Sequence, residues 1–364
     1  MNTQNPILQI GKFSIHSPGG IESITKSIYE SKEFSKMDTI CFSKKNAGLS
    51  KNYREFKTNF IIKSQPFSAS MILFLIRNSY KYKKIFLHYP NPLIALIVYL
   101  LIKRNQKLIL FWHSDLIGNT FLHKISVYFE KLVLKKSHKV IFTSNEYLSN
   151  SNQSLNVFNK DVVIPLGIDD IEIDENYTFW GKNDLKIIFI GRLVQYKGLN
   201  EFLRLISNYK NIVIDVVGDG PLRDKLSTYK KKEDFMPKIY FHGELIEDKK
   251  HNLLKKSHFL VLPSISRAEA FGIVLIEALR LGKPVITNNL KGSGMIEVNS
   301  NFNGNPVGFK FNFDDKENID EILKKIINLN EDEYMSICYN ARKKFENNYT
   351  SELFLKNLSK ALYE

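Results

Sequence analysis

Two glutamates eight positions apart are the residues of this sequence best suited to hold a polar ligand. Glu269 and Glu277 lie in SRAEAFGIVLIEALRLGKPVI, residues 266–286, which is otherwise largely apolar. We expect Glu269 in a loop after a strand and Glu277 in a helix that is apolar on every face. A carboxylate in such a helix must be satisfied by a partner. Two interpretations of Glu277 stay open: a structural salt bridge, for example to Arg192 or Arg280, or hydrogen bonds to ligand hydroxyls.

Positive charge and free amides in the same half of the chain suit a diphosphate. In FIGRLVQYKG, residues 189–198, Arg192 and Lys197 follow a predicted strand, where a guanidinium and an ammonium could clamp phosphates. A pair of solvated loop cations is the alternative. A second anion site is predicted at the helix start beside Glu269, and its unpaired amides are those of Phe271, Gly272 and Ile273.

Two glycine loops and one histidine complete the candidates. SPGGIE places Gly19 and Gly20 between a strand and a helix, where backbone amides could approach an anion, although an ordinary turn has the same pattern. VVGDGPL places Gly218 and Gly220 in a tight turn against which a flat base could lie. His113, in FWHSD, follows another strand, and a structural role is its alternative.

These side chains depend on strands that end at one edge of a sheet. Short β-branched runs alternate with amphipathic segments over residues 7–144 and again over residues 185–346, which is typical of βαβ units with parallel sheets. Ligands of such sheets bind at the carboxyl ends of the strands. We therefore predict two open α/β sheets in tandem, Rossmann-like domains that face each other across a cleft.

Composition separates the two halves further. The chain has 364 residues, 43% hydrophobic and 25% charged, as in a globular protein of two domains. Residues 1–160 carry 23 Lys and Arg against 8 Asp and Glu, whereas residues 161–364 carry 29 against 30. The basic half predicts an anionic partner, with a compositionally biased, Lys-rich proteome as the alternative.

Cys41 and Cys338 match no metal-ligand spacing. We recognise no signal peptide, and the longest apolar run, residues 92–102, is too short to cross a bilayer.

Taken in order, the motifs resemble those of GT-B glycosyltransferases of the retaining family 4, the glycosyl transferases group 1. They are GG in the first loop, a histidine after a middle strand, PLGID near residue 165, GRL…KG, GDGP, and the E-x7-E of Glu269 and Glu277. The resemblance implies an acceptor-binding domain over residues 1–170, a nucleotide-sugar-binding domain over residues 171–346, and a C-terminal helix over residues 347–364 that returns to the first domain.

The resemblance also implies a role for each residue. Glu277 would bind the ribose of the nucleotide and Glu269 the hydroxyls of the donor sugar. Arg192 and Lys197 would neutralise the departing diphosphate, helped by the backbone at Gly19, Gly20 and Gly272. His113 would contact the sugar near its 6-position. The base would lie against the backbone around Gly218 and Gly220 and after Gly243, at Glu244.

The implied reaction retains the anomeric configuration, uses no protein nucleophile, and needs no metal or other cofactor. The implied acceptor is a glycan linked to a lipid diphosphate, as in O-antigen or capsule assembly. The basic first domain would lie against the anionic inner face of the bacterial inner membrane. Similarity of HYPNP and WHSD to O-antigen mannosyltransferases favours GDP-mannose over a UDP-sugar as donor. The alternative is a GT-B epimerase or hydrolase without transfer. A nucleic-acid partner is not expected, because it leaves both glutamates unexplained.

Overall fold

The computed structural model of the chain describes residues 7–44, 49–50, 52–62, 65–116, 121–151, 159–173, 177–181 and 183–364. It divides the chain into two compact units. Residues 1–166 and 351–364 form the first unit, and residues 167–350 form the second. The sequence predicts these divisions at residues 170 and 346. The difference arises because α12 (Glu331–Asn348) belongs to the second unit over its whole length, and Ile168 there forms a β-bridge with Thr350.

The first unit is built on a sheet whose strands occupy the order β10-β9-β8-β7-β1-β2-β4-β3. All neighbouring strands run parallel except the edge pair β3 and β4. A separate hairpin is formed by β5 and β6. In chain order these strands are β1 (Ile7–Phe13), β2 (Asp38–Ser43), β3 (Leu49–Ser50), β4 (Tyr53–Lys57), β5 (Phe60–Ile62), β6 (Gln65–Phe67), β7 (Lys84–Tyr89), β8 (Lys107–Trp112), β9 (Lys139–Phe142) and β10 (Asp161–Val163).

The helices of the first unit follow the strands as the βαβ pattern predicts. They are α1 (Gly20–Glu30), α2 (Ala69–Asn78), α3 (Pro92–Leu101), α4 (Phe121–Lys136), α5 (Asn145–Asn150) and, from the end of the chain, α13 (Ser351–Tyr363). Phe354 of α13 stacks on Phe111 of β8, and Lys84 and Lys139 donate hydrogen bonds to the last carbonyls of α13. These contacts fix the C-terminal helix to the first sheet.

The second unit is a six-stranded parallel sheet in the order β13-β12-β11-β14-β15-β16. In chain order its strands are β11 (Leu185–Ile190), β12 (Ile212–Val217), β13 (Lys238–Gly243), β14 (Phe259–Leu262), β15 (Val285–Asn288) and β16 (Gly308–Phe311). The order reverses between β11 and β14. A crevice for ligands is expected at the carboxyl ends of these two strands, because the chain leaves them toward opposite faces of the sheet.

The helices of the second unit surround a core of buried aliphatic and aromatic side chains. They are α6 (Leu199–Leu205), α7 (Arg223–Ser227), α8 (Glu247–Lys256), α9 (Ile273–Arg280), α10 (Met295–Val298), α11 (Lys316–Ile327) and α12. In the described parts of both units, the helices are all too short or too polar to span a bilayer.

The predicted alternation of strands and helices is confirmed in both units. The structure differs over residues 49–67, where it has four short strands that the sequence analysis did not predict. These strands have two to five residues each, which is too short for the long apolar runs that identify buried strands, and they lie near an edge of the sheet or in a hairpin. Helix α2 ends at Asn78 and is followed by a 3-10 turn.

Candidate active site

Two loops at the reversal point of the second sheet bring together the groups that can do chemistry. One loop follows β11 and contains Lys197; the other follows β14 and contains Glu269. The loops are bonded directly, since Ile265 N–H donates to the Tyr196 carbonyl at 2.8 Å. At Gly198, φ is 69° and an added Cβ would lie 2.0 Å from the Pro263 carbonyl oxygen. Only glycine permits this approach, so the loops are held in a fixed relation.

Lys197 and Glu269 form an ion pair at this point. The Lys197 ammonium donates to Oε2 of Glu269, which also accepts a hydrogen bond from the Ser264 hydroxyl at 3.2 Å. Each of the two charged side chains is 12% exposed. The pair is therefore shielded from bulk water yet open on one side, which is the environment in which a fixed charge acts strongly on a bound ligand.

The loop that carries Glu269 is tied to a neighbouring loop by main-chain contacts. Ser293 donates through its hydroxyl to the Glu269 carbonyl, and Gly294 N–H donates to the Ala270 carbonyl at 2.7 Å. Arg267 Nε donates to the Gly292 carbonyl at 3.1 Å. The segment that carries Glu269 is therefore held in place by hydrogen bonds at this residue and at residues before and after it.

Helix α9 begins directly after this loop. Gly272 is its N-cap residue, with φ 80° and ψ 68°, and an added Cβ would lie 2.8 Å from Leu262. Among the described residues, none accepts a hydrogen bond from the amides of Phe271, Gly272 or Ile273. These amides carry the positive end of the helix dipole and are suited to an anion.

The structure corrects the expected surroundings of Glu277. Helix α9 is not buried on every face, because Ile273, Glu277 and Arg280 lie on one partly exposed stripe. The carboxylate of Glu277 is 3.0 Å from the ammonium of Lys250, in α8, and its side chain is 20% exposed. Neither of the two arginines proposed as partners is bonded to it. Arg192 is exposed and donates to the Tyr196 hydroxyl at 3.4 Å, and Arg280 donates to the Asp169 carbonyl at 2.9 Å.

Lys250 is held between two carboxylates. Burial lowers the pKa of its ammonium, but the charges of Glu277 and Glu247 outweigh that effect and raise the pKa above its ordinary value. Lys250 therefore stays charged at neutral pH. Its ammonium occupies part of the hydrogen-bonding capacity of Glu277. Because a carboxylate has about four lone-pair sites, Glu277 can still accept hydrogen bonds from ligand hydroxyls.

The two glycines after β12 serve to pack one loop on another. A Cβ on Gly218, where φ is 126°, would lie 2.0 Å from the Gly191 carbonyl oxygen, and one on Gly220 would lie 2.6 Å from that of Leu193. Leu193 N–H also donates to the Asp219 carbonyl at 2.8 Å. This packing explains both glycines without a ligand, whereas contact with a base stays a prediction.

Two acidic residues lie near this loop. Glu244, next to Gly243 and predicted from sequence to meet the base, is exposed and accessible to a ligand. Asp219 accepts hydrogen bonds from Arg223 at 2.6 Å and from Gly220 N–H at 2.6 Å. These hydrogen bonds lower the pKa of Asp219, the amide of Gly220 contributing first.

The first glycine loop contains an acid that the sequence analysis did not assign. Gly19 is the N-cap of α1, and an added Cβ would lie 2.1 Å from the Glu22 carboxylate. Glu22 is buried and accepts from its own amide and that of Phe13, although burial raises its pKa. One free amide at the start of α1, that of Glu22 itself, is therefore already bonded to a carboxylate.

His113 lies just after β8 in the first unit and is buried. Its Nε2 is 2.9 Å from Nδ1 of His88, and its amide donates to the Tyr89 carbonyl at 2.9 Å. Burial first, and the charge of Lys12 second, lower the pKa of His113 to about 3. The imidazole is therefore neutral at physiological pH.

Solved structures of similar shape identify the fold. Anabaena HepE, solved in complex with UDP, matches with a TM-score of 0.74 at 16% identity over 98% of this chain and 99% of that one. A glycosyltransferase from Rickettsia africae ESF-5 matches with a TM-score of 0.71 at 22% identity over 100% of both chains. The two parallel-sheet units are those of the GT-B glycosyltransferase fold.

Sequence comparison gives the family. The family model described as "Glycosyl transferases group 1" matches residues 170–349, nearly the whole second unit. O-antigen chain mannosyltransferase C of Escherichia coli is 26% identical over 301 residues, 81% of this chain and 79% of that protein. D-rhamnosyltransferase WbpZ of Pseudomonas aeruginosa is 29% identical over 218 residues, 58% of this chain and 56% of that protein. Residues 170–349 belong to the glycosyl transferases group 1 family, and the chain is a glycosyltransferase.

Proposed function

We propose that this glycosyltransferase moves a hexose from a nucleoside diphosphate sugar to a lipid-linked or oligosaccharide acceptor, with retention of configuration. The observation that supports the proposal most is the Lys197–Glu269 pair at the reversal point of the second sheet. Cleavage of a sugar–diphosphate bond places negative charge on the leaving group. A fixed ammonium next to the free amides of α9 is suited to stabilise that charge.

Each charged group has a distinct task in this proposal. Lys197, with Arg192 on the adjoining turn, neutralises the diphosphate as it departs. Glu269 accepts hydrogen bonds from donor-sugar hydroxyls and holds Lys197 in position, and Glu277 accepts from the ribose. Because these cations supply the required charge, the reaction is proposed to need no metal. A departing phosphate oxygen takes the acceptor proton in front-face attack, and no protein nucleophile is assigned.

The names of the relatives favour a donor of the manno series. One relative is a mannosyltransferase and another a D-rhamnosyltransferase, and their sugars differ only at carbon 6. HepE was solved with UDP and with UDP-glucose. We therefore propose GDP-mannose first and a UDP-hexose second. An epimerase or hydrolase without acceptor is not favoured, since the named relatives transfer sugars.

Binding of the nucleotide is predicted to stabilise the protein. A nucleoside diphosphate at about 100 times its Kd should add about 2.7 kcal/mol and raise Tm by roughly 5–10 °C. Differential scanning fluorimetry with GDP, UDP and ADP measures the shift. Glu277→Ala should lose most of it because the ribose acceptor is gone. Lys250→Met, the matched control, should lower the starting Tm but keep the shift. Equal loss of the shift in both variants would return Glu277 to a purely structural role.

The acceptor side of the proposal uses an apolar and basic surface of the first unit. Helix α2 has apolar residues on both its buried and its exposed face. Met71 and Leu75 are buried, whereas Leu73 and Ile76 are exposed. Beyond it, Tyr80 is flanked by the ammonium groups of two lysines, Lys81 and Lys103, at 5.9 and 5.4 Å from its ring centre. Exposed apolar groups beside cations suit an anionic lipid surface. We propose peripheral binding at the inner face of the bacterial inner membrane, with no nucleic-acid partner.

The β5–β6 hairpin extends this surface and gives a test. Phe60, Ile61 and Ile62 are exposed, and Asn59, next to them, accepts a hydrogen bond from the first amide of α2 at 2.8 Å. The double change Phe60→Ser with Ile62→Ser should weaken binding to phosphatidylglycerol-containing vesicles by roughly tenfold to fiftyfold, because two half-exposed side chains no longer enter the lipid. Vesicle sedimentation measures this. The control is Ile246→Ser, at an exposed position of the second unit. Equal binding by the double variant and wild type would contradict the proposed surface.

A further inference from the structure

A line of four polar side chains crosses the sheet of the first unit. Thr39 of β2 donates to Gln9 of β1 at 3.0 Å, Gln9 lies 2.9 Å from His88 of β7, and His88 lies 2.9 Å from His113 after β8. The four side chains come from adjacent strands and are all buried. The line passes between β1 and β7, where the strand order of this sheet reverses, and it ends at the carboxyl edge. Buried polar groups arranged in this way are costly unless every member is satisfied.

The chemistry of the groups gives the line a direction. The Thr39 hydroxyl donates to the amide oxygen of Gln9, so the amide nitrogen of Gln9 faces His88. An amide nitrogen can only donate. Nε2 of His88 must therefore accept, which places the His88 proton on Nδ1. That N–H donates to Nε2 of His113, and the proton of His113 must then be on Nδ1.

Both rings are neutral, as this direction requires. Burial lowers the pKa of His88 well below its ordinary value and lowers that of His113 to about 3, with Lys12 as the charged group that acts on His113. Among the described residues, Nδ1 of His113 has no hydrogen-bond partner. His113 also stands at the outer end of the line, 9% exposed. Its remaining N–H is the group that a ligand would meet.

We propose that Thr39, Gln9 and His88 are positioning residues that hold His113 as the Nδ1–H tautomer, so that it presents a hydrogen-bond donor to an oxygen of the donor sugar or its phosphate. The proposal rests on the proposed function and on the contact between His113 and the donor sugar that the family resemblance implies. The proposal also excludes one catalytic role for His113. The exposed nitrogen carries a proton and has no lone pair in the ring plane, so His113 does not act as the base for the acceptor hydroxyl.

The tautomer can be read without any turnover. In protein labelled with ¹⁵N-histidine, long-range proton–nitrogen spectra distinguish protonated from unprotonated ring nitrogens, and loss of one signal set in His113→Gln assigns His113. At neutral pH we expect a protonated Nδ1 and an unprotonated Nε2. A protonated Nε2, or signals averaged between the two forms, would overturn the proposal whatever the enzyme transfers.

Two variants test whether the line of polar side chains controls the tautomer of His113 and whether that tautomer affects kcat. Gln9→Glu replaces the donating amide nitrogen by an oxygen that must accept from His88, so His113 is expected to change to the Nε2–H form. His88→Asn, the matched control, keeps an amide donor near Nε2 of His113. With a working donor, kcat should fall roughly tenfold to hundredfold in Gln9→Glu and at most about threefold in His88→Asn, while the Kd for the nucleoside diphosphate stays within twofold in both.

The outcomes separate the two proposals. If Gln9→Glu changes the tautomer and kcat does not fall, His113 donates no hydrogen bond in the reaction and the inference is wrong. If kcat falls with the tautomer unchanged, the line does not act through the proton on His113, and the inference is wrong as well. If wild-type protein turns over no donor, the proposed function fails while the spectra still decide the tautomer.

Discussion

Glu269→Ala is expected to lower the rate of glycosyl transfer by roughly 10³-fold and to change nucleoside diphosphate affinity by less than about threefold. The reason is that Glu269 acts on the sugar and on Lys197 rather than on the nucleotide. Its carboxylate accepts from Lys197 and Ser264, and its loop is anchored by Ser293 and Gly294. Initial rates of transfer and calorimetric titration with the nucleoside diphosphate measure the two effects.

Ser264→Ala is the matched control for this variant. It removes one hydrogen bond to the same carboxylate oxygen and leaves the ion pair, so a loss of at most about tenfold in rate is expected. The assigned role would be contradicted if Glu269→Ala transferred sugar within tenfold of the wild-type rate. It would also be contradicted if that variant lost nucleotide affinity in proportion to its rate.

Lys197→Met is expected to lower kcat by roughly 10²–10³-fold, because the charge that develops on the leaving diphosphate loses its fixed counter-charge. The ammonium of Lys197 is bonded to Glu269 beside the reversal point of the sheet, and 12% of its side chain is exposed. The loss should appear mainly in kcat, since the charge grows as the bond breaks. Steady-state kinetics with saturating acceptor measures it.

Lys225→Met serves as the comparison, since Lys225 is an exposed lysine of α7 in the same unit. It should behave like wild type in kcat and KM. A raised KM with unchanged kcat in Lys197→Met would mean that Lys197 only binds the ground state of the donor. That result would remove its assigned part in catalysis.

Local patterns were sufficient to predict the architecture. Short apolar runs such as those of β11, β12 and β14 identify buried parallel strands. These strands, and the helices between them, can be predicted without knowledge of tertiary contacts. The short strands at residues 49–67 were missed because edge strands and hairpins depend on their partners more than on their own composition. The GT-B fold was predicted from the order of the motifs and is confirmed.

The candidate site was predicted in part. Lys197 and Glu269 were both named from sequence, but their contact depends on the adjacency of β11 and β14, which sequence order does not specify. Glu277 does form a salt bridge, one of the two interpretations left open, but with Lys250 rather than with Arg192 or Arg280. Lys250 lies in α8, 27 positions earlier, and helix orientation decides which cation reaches the carboxylate. The glycines of GDGP were explained by ligand approach, whereas the structure shows that a neighbouring loop fills the space beside them.

The line that ends at His113 could not be predicted from the sequence. Gln9 and His88 are 79 positions apart, and each looks like an isolated polar residue in an apolar strand. Only the parallel register, in which Gln9 lies opposite Phe86 and His88 opposite Phe111, brings these polar groups to one face. Non-local pairing therefore converts two unremarkable residues into a connected network.

Sugar transfer itself tests the proposed function most directly, measured in EDTA with GDP-mannose and UDP-hexoses and a lipid-diphosphate-linked acceptor. We expect release of the nucleoside diphosphate that depends on the acceptor, formation of a glycoside whose anomeric configuration matches that of the donor by NMR, and a rate within about twofold of that with added Mg²⁺. Donor consumption at an equal rate without acceptor and without glycoside, or no consumption of any donor by wild-type protein, would contradict the proposed transfer reaction.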